Sequence, residues 1–139
     1  MDNIFLDSSV VIAAVLSSTG GSFRLLREAH EGRVRLVVNE YVFNEVERSL
    51  RRKYPETVER LQTLTSWCDL EVQPNPPEEV VSEFLSVTHP EDAPVIAGAL
   101  HASADFLLTL DRKHLLTEKV LQANLPFSVM TPREFFNRQ

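Results

Sequence analysis

Four acidic positions stand where carboxylates could act together. Asp7 closes the apolar run Ile4-Phe5-Leu6 and directly precedes Ser8-Ser9-Val10-Val11-Ile12-Ala13-Ala14. That order reads as a strand, an acid at its C-terminal tip, then a helix. Phe106-Leu107-Leu108-Thr109-Leu110 runs into Asp111 in the same way. Asp92 opens the helix before that strand, and Glu45 or Glu47 lies on a helix farther upstream. In open parallel sheets, ligands bind outside the carboxyl ends of the strands. Carboxylates sharing one pocket repel, and one or more takes up a proton unless a cation is present. An oxygen-rich set suits Mg²⁺ or Mn²⁺. Two such ions ~4 Å apart activate a water and stabilise the leaving oxygen in phosphodiester cleavage.

Each acid also has a plainer reading. Asp is a common helix N-cap, which alone would explain Asp92. Val42, Phe43, Val46 and Leu50 form the apolar face of their helix at ~100° per residue, with Glu45 and Glu47 at its opposite borders. Helix geometry does not choose between those two. The histidines His30, His89, His101 and His114 show no zinc-motif spacing and read as surface or partly buried residues.

The elements that must position these acids alternate. A strand before Asp7 leads to a helix over Ser8–Leu16, broken by Ser17-Ser18-Thr19-Gly20-Gly21. Ser22 is placed to cap a helix through His30. Arg35–Val38 reads as a strand, and Asn39 as the cap of a helix from Glu40 to about Lys53. Pro55 ends that helix and opens the next, which runs to about Trp67. A short strand over Leu70–Val72 precedes a helix over Glu78–Val87. Asp92 begins a helix to about Ser103, with Pro94 in its first turn. Phe106–Leu110 is a strand, Thr117–Ala123 a helix, and Phe127–Met130 a final strand. Thr131 caps a last turn with Pro132 in first position. This alternation predicts a three-layer α/β/α sandwich with a mainly parallel sheet, one domain over residues 1–139. Right-handed crossovers then bring Asp7 and Asp111 together at one edge.

With 139 residues and 43% hydrophobic content, the chain is an ordinary globular length and composition. No apolar run is long enough to span a membrane. Cys68 is the only cysteine, and Met1-Asp2-Asn3 lacks the basic start of a signal peptide, so a cytoplasmic location is expected. The net charge of −6 argues against a nucleic-acid partner if it is taken alone. Its distribution argues otherwise: Arg24 to Lys53 holds eight basic residues against five acids, whereas Tyr54 to Asp105 holds ten acids and one Arg. Divalent cations would further mask clustered acids.

Four segments in order resemble the motifs of PIN-domain ribonucleases. They are Phe5-Leu6-Asp7-Ser8-Ser9-Val10-Val11-Ile12-Ala13-Ala14, Glu40 to Leu50, Glu91-Asp92-Ala93-Pro94-Val95-Ile96-Ala97, and Ala104-Asp105-Phe106-Leu107-Leu108-Thr109-Leu110-Asp111. The set covers nearly the whole chain and is most similar to PIN-type toxins of type II toxin–antitoxin systems. The resemblance selects Glu45 over Glu47. It implies a Mg²⁺- or Mn²⁺-dependent endoribonuclease with Asp7, Glu45, Asp92 and Asp111 around the metal, an RNA substrate, an antitoxin partner and a homodimer. It further implies that Ser9 positions Asp7 or a metal-bound water and that Thr109 orients the cluster, while Asp105 reads as structural. Ser9 stands where the family often has Asn, and Leu110 where it often has Asn or Gly. Arg48, Arg51 and Arg52, on the helix bearing Glu45, are the expected RNA-backbone contacts. A haloacid-dehalogenase phosphatase would need an Asp at Ser9. A response-regulator receiver would need a phospho-accepting Asp at a central strand tip, and no Asp lies between Asp7 and Asp69; a dinucleotide-binding domain would need a Gly-rich first turn. A PIN-like module that binds RNA or protein without cutting is the competing reading, and retention of all four acids argues against it.

Overall fold

The computed structural model of the chain describes residues 1–138. Five parallel strands form one sheet in the order β3-β2-β1-β4-β5. They are β1 (Asp2–Leu6), β2 (Val34–Asn39), β3 (Glu71–Gln73), β4 (Phe106–Leu108) and β5 (Ser128–Met130). β1 is central and covered on both faces, which is why it reads as a continuous apolar run: Ile4, Phe5 and Leu6 are all fully buried. The chain winds outward from β1 through β2 to β3, then returns to the other side of β1 for β4 and β5. Strand order therefore reverses between β1 and β4, and a crevice opens at the carboxyl ends of those two strands.

α1 (Ser8–Leu16) and α2 (Gly21–His30) link β1 to β2. α3 (Glu40–Lys53), a 3₁₀ turn at Pro55–Thr57 and α4 (Val58–Trp67) link β2 to β3. α5 (Glu78–Ser82) and α6 (Ala93–His101) lead back to β4, α7 (Glu118–Leu121) leads to β5, and α8 (Pro132–Asn137) follows. Right-handed crossovers put the outward path and the return path on opposite faces, giving the expected α/β/α sandwich. α2 packs on β2, while α6 packs on β1, β2 and β4.

Gly98 is what lets α6 close on the sheet. A Cβ there would lie 2.5 Å from Asn39 Nδ2 and 2.6 Å from Phe5 Cζ. Asn39 is fully buried and caps α3 as its sequence position predicts, accepting from Val42 N–H at 2.9 Å. Its amide also donates to the Pro94 carbonyl at 3.1 Å. One side chain thus ties the first turn of α3, which carries Glu45, to the first turn of α6, which follows Asp92.

Several boundaries differ from the sequence expectations, each for a local reason. α2 starts at Gly21 with Gly20 as its cap, and Ser22 makes no capping bond because it is buried inside the first turn. The expected helix over Glu78–Val87 stops at Ser82. Beyond it, Phe84, Leu85 and Val87 donate to carbonyls three residues back, so the chain continues as turns. The expected helix over Thr117–Ala123 is a single turn capped by the Thr117 side chain. β4 ends at Leu108, not Leu110: Thr109 N–H still donates to the Met130 carbonyl, but the two amides after it leave the ladder for side chains, Leu110 N–H donating to Ser9 Oγ and Asp111 N–H to Thr109 Oγ1. The last element follows expectation, with a capping box between Thr131 and Glu134 and Pro132 in the first turn.

Candidate active site

Asp7 leaves β1 at the switch point with its carboxylate buried to 4% exposure. It sits at the cap position of α1 yet makes no capping bond. Its Oδ2 instead accepts from two hydroxyls, Ser9 Oγ at 2.6 Å and Thr109 Oγ1 at 2.9 Å. Each hydroxyl also accepts from a backbone N–H of the β4 exit, Leu110 to Ser9 at 3.0 Å and Asp111 to Thr109 at 2.9 Å. The two hydroxyls bracket Asp7 and lock it to the segment bearing Asp111. Ser9 Oγ thus donates to Asp7 and accepts from Leu110 N–H, two roles that Asn would divide between its amide N–H and its carbonyl oxygen. At position 110 the backbone makes the contact, so Leu can stand there with its side chain exposed.

Glu45 reaches the same edge from α3, where its Oε1 accepts from Ser8 Oγ at 2.5 Å. Glu47 faces elsewhere and pairs with Arg51 at 3.6 Å. Of the two residues that helix geometry left open, Glu45 lies at this edge and Glu47 does not. Asp92 precedes α6 without capping it. Its Oδ2 lies 3.2 Å from His114 Nδ1, and Asp111 Oδ2 lies 3.5 Å from the same nitrogen. Ligand atoms of Asp92, Asp111 and His114 all fall within 4.8 Å of one another. Asp105 is apart from this group and holds β1 to β4 by accepting from Asn3 N–H at 2.8 Å.

His114 and Tyr41 were not expected here. The signal for His114 was its place three residues after Asp111, within one turn. Asp111 Oδ1 accepts from both Lys113 N–H and His114 N–H at 3.0 Å, and this turn swings the imidazole back over the acids. Thr88 donates to the His114 carbonyl at 2.6 Å, and the His89 ring lies 4.8 Å from the His114 ring. Tyr41 donates to the Glu91 carbonyl at 2.6 Å, fixing the chain just before Asp92.

The acids share one electrostatic field. Burial pushes the Asp92 carboxyl up to about 6; Asp111 and Asp7 add to the rise, His114 opposes it, and Glu45 adds again. Burial also raises Asp7, against the lowering effect of the Ser9 and Thr109 hydroxyls, with Asp111 raising it further. Such a set resists carrying its full charge without a counter-cation. The donors are carboxylate oxygens and one imidazole, with no thiolate among them: the buried Cys68 lies at the end of α4. The carboxylate oxygens fit Mg²⁺ or Mn²⁺, which prefer oxygen ligands.

A model of the PIN domain matches residues 3–113, a span that contains all four acids. The chain belongs to the PIN-domain family. Solved structures share the fold of this PIN domain at low identity. One is VapBC2 from Rickettsia felis bound to a DNA fragment from its promoter. It is 14% identical with a TM-score of 0.66, over 92% of this chain and 96% of that one. Another is Mycobacterium tuberculosis VapC20, a toxin that cleaves the sarcin–ricin loop. It is 13% identical with a TM-score of 0.58, over 79% of this chain and 91% of that one. No curated protein matches the chain.

The basic run from Arg24 to Lys53 separates in space. Arg33 pairs with Glu28, and Arg35 with Glu71 beside the sheet. Arg48 and Arg52 follow Glu45 by three and seven residues, which puts them on its face of α3. Arg48 is within electrostatic reach of Tyr41 on that side. Arg51 is held on the other side by Glu47. Arg24 and Arg27 lie on α2, against α8.

Proposed function

We propose that this PIN domain is a Mg²⁺- or Mn²⁺-dependent endoribonuclease, acting in the cytoplasm as the toxin of a toxin–antitoxin pair. One observation carries the reading: Asp7, Glu45, Asp92 and Asp111 meet at the carboxyl edge of the sheet, where burial first, and then the charges of Asp111, Asp7 and Glu45, raise Asp92 to about 6. Those four carboxylates would hold the metal, with His114 beside two of them. When bound, the metal would supply the Lewis acidity that phosphodiester hydrolysis needs. Ser9 and Thr109 fix the direction of Asp7. Ser8 fixes Glu45. Arg48 and Arg52 are on the Glu45 face, where a guanidinium fork would hold a substrate phosphate in place. The toxin assignment is supported by family membership and by the fold shared with a VapBC structure and a VapC toxin. An antitoxin and a second copy of the chain are the partners this reading implies.

The test is cleavage of labelled RNA by the purified protein across a Mn²⁺ and Mg²⁺ titration, with a chelator control and the Asp7→Asn variant alongside. Expected is cutting that needs the cation and is lost in the variant. RNA that is bound but left intact at every cation concentration would favour the non-catalytic module instead.

A further inference from the structure

We propose that the cavity between the start of α2 and α8 is a second phosphate-binding site, one that holds the RNA backbone at a distance from the acids that cut it. The proposal rests on the ribonuclease reading and extends it. The cavity measures about 430 Å³, and three arginines line it: Arg24, Arg27 and Arg133. No acidic side chain is part of its wall. Among the described residues none of the three guanidiniums pairs with a carboxylate. In a chain of net charge −6, three cations lining one cavity without a counter-charge are out of character. Their mutual repulsion is relieved by an anion.

Guanidinium forks match phosphate oxygens two at a time. Arg24 is also held in place before any ligand arrives. Its guanidinium carbon lies 4.0 Å from the centre of the Phe136 ring, so the fork lies over an aromatic face and loses less freedom on binding.

The position suits a strand that also crosses the acids. Thr109 N–H donates to the Met130 carbonyl at 3.0 Å, so the end of β5 lies one strand spacing, ~4.8 Å, from the backbone of Thr109, whose hydroxyl holds Asp7. Arg133 follows within the first turn of α8, and Gly21 at the start of α2 packs on Pro132. Arg112, next to Asp111, is within electrostatic reach of Glu134 on the same turn. A chain of phosphates leaving the acids past Arg112 would therefore reach the cavity. Arg48 and Arg52 lie on α3, across β1 from this point, so the acids have basic groups on both sides.

The experiment compares Arg24→Gln/Arg133→Gln with the parent in an Asp7→Asn background, using fluorescent single-stranded RNAs of about twelve and about four nucleotides. Gln keeps aliphatic cover on Phe136, and thermal melts check the fold. Expected are a several-fold rise in Kd for the longer RNA, little change for the shorter, and a salt slope shallower by about 1.4, the share of two phosphates on a single strand. In the cutting-competent background, KM for the long RNA should rise with kcat nearly unchanged. Equal Kd and slope for parent and variant would overturn the site, even if wild type cuts RNA. If the variant loses affinity while wild type cuts no RNA with Mn²⁺, the site stands and the nuclease reading fails. A calorimetric arm with inorganic phosphate separates the ligand sources: phosphate binding lost in the variant, with RNA affinity unchanged, would mark a small-anion site and overturn the RNA assignment.

Discussion

Asp7 is held by two hydroxyls that donate to the same carboxylate oxygen, and each also accepts a backbone N–H from the β4 exit. Asn at position 7 keeps an oxygen to receive both and removes a charge from a crowded pocket. Asp7→Asn should therefore abolish cation-dependent cleavage while the metal-free protein melts at the wild-type temperature or above; a large drop would make Asp7 a structural residue. Thr109→Val keeps the shape but strands the Asp111 N–H and takes a donor from Asp7. Destabilisation of ~1–3 kcal/mol is expected in a denaturant titration, with a 10–100-fold loss of Mn²⁺ affinity by calorimetry. For Asp92 the sign follows from its carboxyl being raised from 3.8 to about 6 in the folded protein. The fold then binds that proton more tightly than the unfolded chain does, so ionisation weakens the metal-free fold fully above about pH 6, and the effect fades towards pH 4. Metal-free Asp92→Asn should melt above wild type at pH 7.5, with the gap closing as pH falls through 6. A gap independent of pH would show that Asp92 does not ionise against its neighbours.

What brings these residues together is the start of two helices and the end of two strands. Gly98→Ala tests this without touching an acid. The new Cβ would need the space of Asn39 Nδ2 and the Phe5 ring, so α6 must move off the sheet or Asn39 must give up the Pro94 carbonyl. We expect a loss of ~1–3 kcal/mol in stability, and a weaker Mn²⁺ isotherm because Asp92 shifts against Glu45. An unchanged isotherm would mean that α6 does not set the site. Much of this scale was legible in the sequence. Ile4-Phe5-Leu6 before Asp7, Asn39 before α3 and Pro94 after Asp92 are local signals, and each marks an element where the structure has one. The apolar run Ile4-Phe5-Leu6 within β1 marked a strand, and it shows no alternation because that strand is covered on both faces. What escaped were contacts between elements remote in sequence: the second bond of Asn39, the Ser8 hydroxyl on Glu45, and His114 over Asp92. No periodicity encodes these, since they depend on how two elements dock. The end of β4 escaped for a related reason. Phe106 to Leu110 has strand propensity throughout, but its last amides are taken by the site itself.

Over the whole molecule, charge is sorted more finely than the basic stretch suggested. Strand order puts α3 on one side of β1 and α8 on the other, with the acids at the switch point between them. On α3 itself, Arg51 is spent on Glu47, whereas Arg48 and Arg52 stand on the Glu45 face and have no carboxylate partner among the described residues. The three therefore should not behave alike. A phosphate held beside Glu45 would be met by Arg48 or Arg52, and each such contact releases counterions from a single strand in proportion to ~0.7 of a charge. Charge reversal of Arg48 and Arg52 to Glu should weaken RNA binding, flatten the plot of log Kd against log salt by about 1.4, and reduce cleavage even with saturating Mn²⁺. Reversal of Arg51 alone should leave the slope close to wild type. It should lower the melting temperature only slightly, since an exposed i,i+4 pair contributes ~0.3–0.5 kcal/mol and its reversal puts two carboxylates together. Equal effects from Arg51 and from Arg48 with Arg52 would show that α3 acts only through its net charge. An unchanged slope in both variants would show that the RNA does not cross α3.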